Sequence, residues 1–401
     1  MNDPVYGFVK IPSDLIYDLI EHPYFQRLRR IRQLGLSNLV YPGALHTRFQ
    51  HVIGAMSLTV QAIDILRTKG VEISEEEKEA VCAAVLLHDM GHGPYSHALE
   101  KIIIKGVGHE TISLAFMNRM NEELKGKLDL CIRIFKNEYP RKFLHQLVSS
   151  QLDMDRIDYL RRDSFYTGVQ EGVIGHDRII NMLNVHNDEV VIDEKGIYSI
   201  EKFLIARRLM YWQVYLHKTV IAAETLLLKI FLRASELAQK NVELFATPAF
   251  HYFLYNKTDN EKFLNDSKVL SLYSELDDFD IFTSIKVWSH HEDKILRELC
   301  LMMRDRKLPR IEIQTGEFDN ENIEKMQKKI AGSKNISMAD SEYFVFTDSV
   351  KNEAYSLDGF NIKVLYKNGY TRDIAEASDL GNILALSETV TKYFLCYPKN
   401  V

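Results

Sequence analysis

The spacing of apolar residues divides this chain into a long helical part and a shorter mixed part. Up to about residue 306, apolar residues recur every three or four positions, which is the period of amphipathic helices. Ser13 as an N-cap and a Ser74–Glu77 capping box mark two of the helix starts. The predicted helices lie at about 13–33, 48–68, 75–88, 109–162 with breaks near 125 and 140, 200–239, and 246–306 in several pieces.

Apolar and polar residues alternate in two other places, and alternation at every second position is typical of strands. The stretch DEVVIDEKGIYSI (188–200) predicts a short β-hairpin around a Lys195–Gly196 turn. After Pro309, strands are predicted at IEIQT, EYFVFTDS, FNIKVLYKNG and TKYFLCYP, with one helix at 321–334. We therefore expect a mainly α protein in three parts. They are a helical core with a short β-hairpin at 1–240, a helical extension at 241–308, and a small α+β domain at 309–401.

Composition narrows the function only a little. The 401 residues carry a formal net charge of −6, so a nucleic acid is not expected as the main partner. The four cysteines are widely separated and form no CxxC pair, which argues against a disulfide framework and against a thiolate zinc site. Because the sequence has neither an apolar leader nor an apolar run of membrane-spanning length, we expect a cytoplasmic protein without a membrane partner.

Candidate metal ligands are concentrated where the third predicted helix ends. The stretch VCAAVLLHDMGHGPYSH (81–97) has His88 and Asp89 at the helix end, and His92 and His97 follow beside two glycines. A single His–Asp pair would be an ordinary polar helix end. Three histidines and an aspartate within ten residues, in a backbone bent by glycines, favour a site for Mn, Fe, Co, Ni or Zn.

Acidic residues cluster a second time, in the predicted helix that ends before Gly168. Asp155, Tyr159 and Asp163 are four residues apart and therefore share one face of this helix. Asp158 lies at the edge of that face, where we expect it to be solvated or paired with an arginine of the next turn.

The candidate ligands lie on three separate predicted helices, which a helical bundle can bring to one metal ion. They are His51, His88, Asp89 and Asp155. Their order resembles the pattern of HD-domain metal-dependent phosphohydrolases. The resemblance is closer to the branch of deoxynucleoside triphosphate triphosphohydrolases, and it is dense from residue 3 to about 178 and thinner to about 225. It is carried by DPVYGFVKIP, HPYFQRLRRIRQLG, YPGALHTRFQHVIGA, LLHDMGHGPYSHALE, GHE and DMDRIDYLRRDSFYTGV.

The resemblance implies an HD-domain helical bundle that hydrolyses deoxynucleoside triphosphates to a deoxynucleoside and inorganic triphosphate. It implies one divalent transition metal, with Mn, Fe, Zn and Ni all open, and Mg²⁺ bound with the substrate triphosphate. The implied metal ligands are the four residues named above. The implied catalytic residues are His92, His109 as general acid or base, and Glu110 as its orienting partner.

The resemblance also implies a set of substrate-binding residues. Those implied for the phosphates are Arg48, Arg156 and Arg207. Those implied for the sugar pocket are Gln33, Leu34, Tyr159, Asp163 and Tyr215, with His97 beside the ribose and the α-phosphate. Arg156 stands where the human member of the branch has lysine, and Leu216 stands where that member has glutamine near the base. The second difference leaves the base preference open.

Two other functions stay open at this point. An HD phosphohydrolase could act on another nucleotide, such as an alarmone, a cyclic nucleotide or a ribonucleoside triphosphate. The chain could also be a catalytically silent nucleotide sensor or a binder of single-stranded nucleic acid. The complete set of catalytic residues argues against the silent sensor.

Assembly is expected partly from the resemblance, which implies a homo-oligomer, a dimer or a tetramer, with a nucleotide activator at the subunit boundary left open. The local reason is that Arg27, Arg29, Arg30 and Arg32 are more cations than one catalytic site uses. These arginines repel one another unless an anion or an acidic surface faces them. Glu21 nearby could accept hydrogen bonds from a guanine edge. The alternative is an exposed basic face balanced by neighbouring acids.

Overall fold

The computed structural model describes residues 1–104, 106–353, 355–356, 361–379, 383 and 386–399, without the side chains of His97, Glu100 and Lys101. Within these residues the fold is mainly α, as predicted from the sequence. A short hairpin and four helices come first. They are β1 (Asn2–Asp3), β2 (Gly7–Phe8), α1 (Asp14–Glu21), α2 (Pro23–Gln26), α3 (Arg48–Thr68) and α4 (Glu75–Leu87).

The predicted continuous helix at 13–33 is wrong, although its start is confirmed. The Ser13 side chain accepts a hydrogen bond from the Ile16 N–H and caps α1. His22 then has φ −64° and ψ 136°, because the ring of Pro23 disfavours a helical residue before it. The chain restarts as α2 and continues as a 3₁₀ turn, Arg27–Arg30. The arginines of this region therefore do not share one helical face.

The next helices surround α3 and α4. They are α5 (Glu100–Ile103), α6 (His109–Glu123), α7 (Asp129–Phe135), α8 (Lys142–Val148), α9 (Met154–Thr167) and α10 (His176–Met182). The predicted breaks near 125 and 140 are confirmed. Asp153 caps α9 by accepting from the Arg156 N–H, and Gly168 ends it at φ 75°, a left-handed conformation that glycine adopts without strain.

Helix α3 packs against both α4 and α9 at the centre of the molecule. Gly54 is essential to the second contact, because a Cβ atom at that position would overlap the side chains of Asp158 and Arg162. This close approach brings the buried histidine of α3, His51, within hydrogen-bond distance of α9. The packing of α3 on α9 is thus part of the construction of the site.

Helix α3 is also long and apolar enough, by length and composition alone, to cross a membrane, which the search for apolar runs did not predict. Of its most apolar window, 67% is buried inside the protein. The core helix of a soluble protein passes the same test, and the buried Arg48 and His51 lie at its N-terminal end.

The predicted hairpin exists, but its position is wrong. Strands β3 (Leu183–His186) and β4 (Glu189–Asp193) pair antiparallel around Asn187 and Asp188, which have φ of 50° and 63°. Asparagine and aspartate tolerate this left-handed conformation, which tight hairpin turns require. Residues Glu194–Gly196 instead form a 3₁₀ turn that leads into a helix.

The predicted continuous helix at 200–239 is also wrong. It consists of α11 (Ile197–Met210) and α12 (Lys218–Gln239), separated by a π-helical turn at Tyr211–Tyr215. The Leu216 N–H donates to the Tyr211 carbonyl at 2.7 Å, a hydrogen bond five residues back along the chain. Such widened turns are frequent at functional sites.

The remaining elements form a helical layer and two small sheets. They are α13 (Pro248–Tyr255), α14 (Asn260–Asn265), α15 (Ser267–Glu275), α16 (Asp278–Trp288), α17 (Lys294–Arg304), β5 (Arg310–Gln314), α18 (Asn320–Lys334), α19 (Met338–Ser341), β6 (Phe346–Asn352), β7 (Lys363–Leu365), β8 (Thr371–Asp373), α20 (Ile374–Ala377) and β9 (Val390–Tyr397). One sheet has the order β5-β9-β6 and packs on α12. The other has the order β3-β4-β7-β8, in which β4 and β7 are parallel.

The second sheet therefore joins the C-terminal segment to the hairpin of the helical part. Val191 of β4 pairs with Lys363 of β7, 172 positions further along the chain. One cluster of buried apolar residues extends from Val9 to Tyr397. The division into three parts at residues 240 and 308 stays a prediction. The shared sheet and the shared apolar core connect the proposed parts.

Candidate metal centre and active site

A cavity of about 680 Å³ lies between α3, the C-terminal end of α4, the start of α6, α9 and α12. Most residues predicted for the site line it. They are Gln33, Leu34, Arg48, His88, Asp89, His92, His109, Glu110, Asp155, Arg156, Tyr159, Asp163 and Tyr215. His51 is fully buried behind the wall, Arg207 is not among the lining residues, and the side chain of His97 lies outside the described part of the chain.

The four predicted metal ligands converge on one point. Asp155 Oδ1 lies 3.0 Å from His51 Nε2 and 3.6 Å from His88 Nε2. Asp89 lies on the other side, 3.3 Å from His88 Nε2 and 3.8 Å from His51 Nε2. Two imidazole nitrogens and two carboxylates, brought from α3, the end of α4, and α9, form a donor set for a divalent transition metal.

The opposite ring nitrogens of the two histidines are already engaged. His51 Nδ1 lies 2.7 Å from Asp158 Oδ2, and His88 Nδ1 lies 2.6 Å from the Val85 carbonyl. Both partners accept, so each Nδ1 carries a proton and each Nε2 faces the carboxylates of the cluster, where a metal ion would take the place of the second ring proton. Neither Nε2 makes a hydrogen bond of normal geometry within the described residues. These buried nitrogens fit a metal ion.

The electrostatics of the cluster also favour a cation. Burial would lower the pKa of His51, but the carboxylates of Asp155 and Asp158 raise it to about 10. Burial is outweighed in the same way at His88, where Asp89 and Asp155 raise the pKa to about 9. The histidines in turn hold the pKa of Asp155 well below its usual range despite its burial. Carboxylates that stabilise positive charge this strongly would stabilise a bound divalent cation.

Asp158 has a larger role than the sequence predicted. Its side chain is fully buried, so the expected solvation is wrong, while the expected pairing with an arginine is confirmed by Arg162 Nε at 2.9 Å. Arg162 is itself buried and also pairs with Asp3 at 2.7 Å. Asp158 therefore orients His51 while Arg162 neutralises its charge. The sequence alone did not indicate this role, because Asp158 is one of many charged residues in α9.

His92 and His109 stack at the other side of Asp89. Their ring centroids are 3.9 Å apart, and His92 Nδ1 lies 3.3 Å from Asp89 Oδ1. Burial, together with the nearby Arg48 charge, holds the pKa of His92 well below its usual range, so its ring is neutral. A Cβ at Gly91 would overlap the His109 carbonyl, so this glycine permits the approach of the two segments.

Arg27 supports this loop and is not part of an exposed cationic surface. It is fully buried and donates to the carbonyls of Met90 at 2.9 Å and His92 at 2.8 Å. Arg30 pairs with Asp277. The predicted group of four arginines thus loses two of its members to contacts within the chain, which weakens the local argument for an anion site there.

The predicted sugar residues form a hydrogen-bonded group that includes a histidine missed in the sequence. Asp163 Oδ2 accepts from the Tyr215 hydroxyl at 2.8 Å, and Asp163 Oδ1 lies 2.8 Å from His46 Nε2. The His46 ring is buried and stacks on Tyr166, with centroids 4.4 Å apart. His46 lies five residues before His51 in a segment already quoted for the resemblance, but nothing in its spacing distinguished it from a core histidine.

The predicted phosphate-binding arginines differ in their surroundings. Arg48 is buried, pairs with Asp89 and donates to Ser96 Oγ at 2.9 Å. Arg156 lines the cavity, with Nη1 3.4 Å from Asp153 Oδ2. Arg207 is nearly buried under the Tyr211 ring, and its Nε and Nη1 atoms have no hydrogen-bond partner within the described residues. A buried guanidinium of this kind is suited to an anion.

Several lining residues were not predicted from the sequence. They are Gly35, Ser37, Tyr95, Ser96, Phe135, His145, Val148, Ser149, Asp153, Tyr211 and Glu224. Tyr211 is one turn after Arg207 and one turn before Tyr215, so helical spacing was a usable signal for it. Glu224 gave no signal, because a glutamate in an amphipathic helix normally faces solvent.

Sequence profiles and known proteins resemble this chain at the residues just described. A profile described as HD domain matches residues 48–163, and one described as HD associated region matches residues 174–247. An uncharacterised protein of Bacillus subtilis is 32% identical over the whole chain and 92% of its own length. A crystal structure of a phosphohydrolase from Bacteroides thetaiotaomicron is 54% identical, covers 99% of this chain and 98% of that one, and superposes with a TM-score of 0.96.

A relative with a named activity is more distant. The deoxynucleoside triphosphate triphosphohydrolase SAMHD1 homolog of Dictyostelium discoideum is 30% identical over 61% of this chain. The match covers 51% of that relative, so about half of its length has no counterpart here.

Proposed function

The chain belongs to the family of HD-domain phosphohydrolases, and we propose that it hydrolyses deoxynucleoside triphosphates to a deoxynucleoside and inorganic triphosphate. The main support for the proposal is that three kinds of group lie on or directly behind the wall of a single cavity. These are the His–Asp cluster, the arginines and the Asp163–Tyr215 pair. The three groups match the three parts of such a substrate: the reacting phosphate, the charged chain and the sugar.

His51, His88, Asp89 and Asp155 would hold one divalent metal ion, with Mn, Fe, Zn and Ni as candidates, and Mg²⁺ would accompany the triphosphate. When bound, the transition metal would supply Lewis acidity that activates water for attack on phosphorus. The remaining catalysis is assigned to side chains of this chain.

The arginines would bind and orient the triphosphate, which carries about four negative charges at neutral pH. Arg156 reaches the cavity from the first turn of α9, beside Asp155. Two nitrogens of Arg207, which have no partner in the part of the chain that the structure describes, would provide buried donors for an anion next to Tyr211. Arg48, held by Asp89 and Ser96, would fix the phosphate nearest to the cluster.

His109 would donate the proton that the leaving 5′-oxygen requires, because a positioned imidazole can act as a general acid. It lies at the N-terminal end of α6 and stacks on the neutral His92. Glu110 follows it and also lines the cavity, where it would orient the His109 ring.

The sugar would be read by Asp163, Gln33 and Tyr215. Asp163 accepts from Tyr215 and would accept from the 3′-hydroxyl as well. Because the Tyr215 ring is held by this hydrogen bond, it would stand as a rigid barrier against a 2′-hydroxyl. Deoxyribonucleotides should therefore react faster than ribonucleotides, and Tyr215→Ala should reduce that difference.

The test is a panel of deoxyribo- and ribonucleoside triphosphates with Mn²⁺ or Mg²⁺, analysed for tripolyphosphate and pyrophosphate. Release of tripolyphosphate, faster from dGTP than from GTP, is the expected result. Release of pyrophosphate or orthophosphate would assign the cavity to another phosphohydrolase reaction. Tight nucleotide binding without any hydrolysis would favour a sensor.

A homo-oligomer, a dimer or a tetramer, with a nucleotide activator stays a prediction. Light scattering with and without dGTP or GTP tests both parts. A monomer under every condition, with rates that follow simple saturation and show no lag, would contradict it.

A further inference from the structure

Two carboxyl groups of the cavity wall have no part in the proposed chemistry, and they are Asp153, which caps α9, and Glu224. Glu224 lies on α12, two turns after its first residue, and its side chain lines the cavity together with Leu34, Gly35 and Leu216. The described residues include no hydrogen-bond or ion-pair partner for its carboxylate. Leu34 and Leu216 are apolar side chains of the same cavity wall, so they offer no hydrogen bond to a ligand.

Gly35 lies beside this carboxyl group in the cavity wall. It has φ +48°, and a Cβ there would lie 3.5 Å from Glu224 Oε1 and 3.4 Å from the Tyr95 carbonyl. A side chain at position 35 would therefore contact the carboxylate. The backbone beside it, at Gln33 and Leu34, belongs to the residues assigned to the sugar, so a base attached to that sugar would lie near Glu224.

We propose that Glu224 selects the nucleobase, and that it favours a purine with two adjacent N–H donors, as guanine has. An ionised carboxylate only accepts hydrogen bonds, and its two oxygens match the N1–H and the 2-amino group of guanine. Adenine presents one donor beside one acceptor, and the acceptor would face an oxygen lone pair. Leu216 also lines the cavity, but its apolar side chain cannot form a hydrogen bond with the base.

The surroundings of Glu224 support this assignment. Burial raises its pKa to about 7, and no cation among the described residues offsets that cost. Two N–H donors from a bound base would stabilise the ionised form in place of water. A partly buried carboxyl group with a raised pKa, for which the described residues supply no partner, is typical of a group that acts on a ligand.

The inference rests on the proposed function for the identity of the substrate, and its test separates the two. The ratio of kcat/KM for dGTP to that for dATP is measured in the metal-loaded protein. dITP, which has the N1–H donor but lacks the 2-amino group, should give an intermediate kcat/KM. We expect dGTP to be favoured by about 10- to 100-fold, the range for one bidentate base contact. Glu224→Gln should remove this preference, because an amide offers one donor and one acceptor and therefore matches adenine.

Glu236→Gln is the matched control, since Glu236 lies on the same helix with an exposed side chain. It should leave the ratio unchanged. A ratio that stays the same in Glu224→Gln, or a loss of rate that is equal for all bases, would overturn the inference.

Binding of the same nucleotides in the presence of EDTA, which stops metal-dependent turnover, gives the second readout. If the wild type releases no tripolyphosphate but Glu224→Gln still lowers the binding preference for dGTP, the proposed reaction fails and the base assignment stands. If tripolyphosphate is released, and Glu224→Gln changes neither the relative rates nor the relative affinities of the nucleotides, only the base assignment fails.

Discussion

Two histidine–aspartate pairs, built from the same segments, have opposite roles in this protein. His51 pairs with Asp158 at 2.7 Å, and His46 pairs with Asp163 at 2.8 Å. The two histidines are five residues apart at the start of α3, and the two aspartates are five residues apart on α9. All four side chains are nearly or fully buried.

The pairs differ in which member faces the ligand. In the first pair, Arg162 neutralises Asp158, and the far nitrogen of His51 points to the metal cluster. In the second pair, Asp163 lines the cavity and accepts from Tyr215, while His46 lies behind it. The carboxylate is the positioning group in one pair and the binding group in the other. The same hydrogen bond therefore serves different chemistry, depending on the side from which the cavity approaches.

The largest effect is expected when a ligand itself is changed. Asp155→Asn should remove both the bound metal and the hydrolytic activity, because its two histidine neighbours lose the carboxylate that they share. The helical fold should survive, since most of the apolar core is untouched. Metal content and circular dichroism of the purified variant provide the check. Full metal occupancy with an unchanged rate would place the centre elsewhere.

His109→Ala leaves both histidine–aspartate pairs intact and so separates chemistry from positioning. We expect turnover to fall by about 10²–10⁴-fold, the usual range for a general acid or base, while the metal remains bound. Single-turnover rates and metal analysis on one preparation test this. Near-normal turnover would indicate that His109 is only a polar residue at a helix start.

Asp158→Ala breaks the first pair without removing a ligand. Metal affinity should fall about 10- to 100-fold, because the His51 ring loses the acceptor that orients it. The free energy of unfolding should also fall by about 3 kcal/mol, since Arg162 is left buried with less compensation. Competition with a chelator and urea unfolding measure the two effects. A destabilised variant that keeps its full metal affinity would show that Asp158 serves only Arg162.

His46→Leu breaks the second pair and should have the smallest effect. Metal content should not change, whereas kcat/KM for dGTP should fall by about tenfold, because Asp163 loses one of its two donors. The preference for dGTP over its 2′,3′-dideoxy analogue should fall as well, which a purely structural role would not cause. His46→Gln, whose amide can donate to Asp163, should restore part of that preference. Equal losses on both nucleotides in His46→Leu, without rescue, would contradict the assignment.

The ligand types, their order and most helices were accessible to sequence reasoning because their signals are local. The Ser74–Glu77 capping box starts α4 as predicted, and α3 has its predicted bounds. The Asp155–Tyr159–Asp163 stripe follows from helical spacing, and all three residues line one cavity. Each of these signals lies within one or two turns of the residue that it describes.

The elements that were predicted in the wrong place also have local causes. In these places a local feature interrupts the helix that the apolar periodicity predicts. The break at His22 follows from the proline after it, and the β3–β4 turn requires two left-handed residues at Asn187 and Asp188. The π-helical turn at Tyr211–Tyr215 leaves the apolar pattern unchanged, so periodicity continues through it.

The sequence by itself determined a mainly α chain with a metal-competent set of histidines and aspartates, because helix caps, periodicity and ligand chemistry are properties of neighbouring residues. Only the tertiary structure decided that Asp158 orients His51, across 107 positions, and that His46 holds Asp163, across 117. It also decided that Glu224 faces a cavity. The reason is physical: burial and hydrogen bonding depend on which distant segments pack together, and the α3–α9 contact that Gly54 permits gives His51 and His46 their partners on α9.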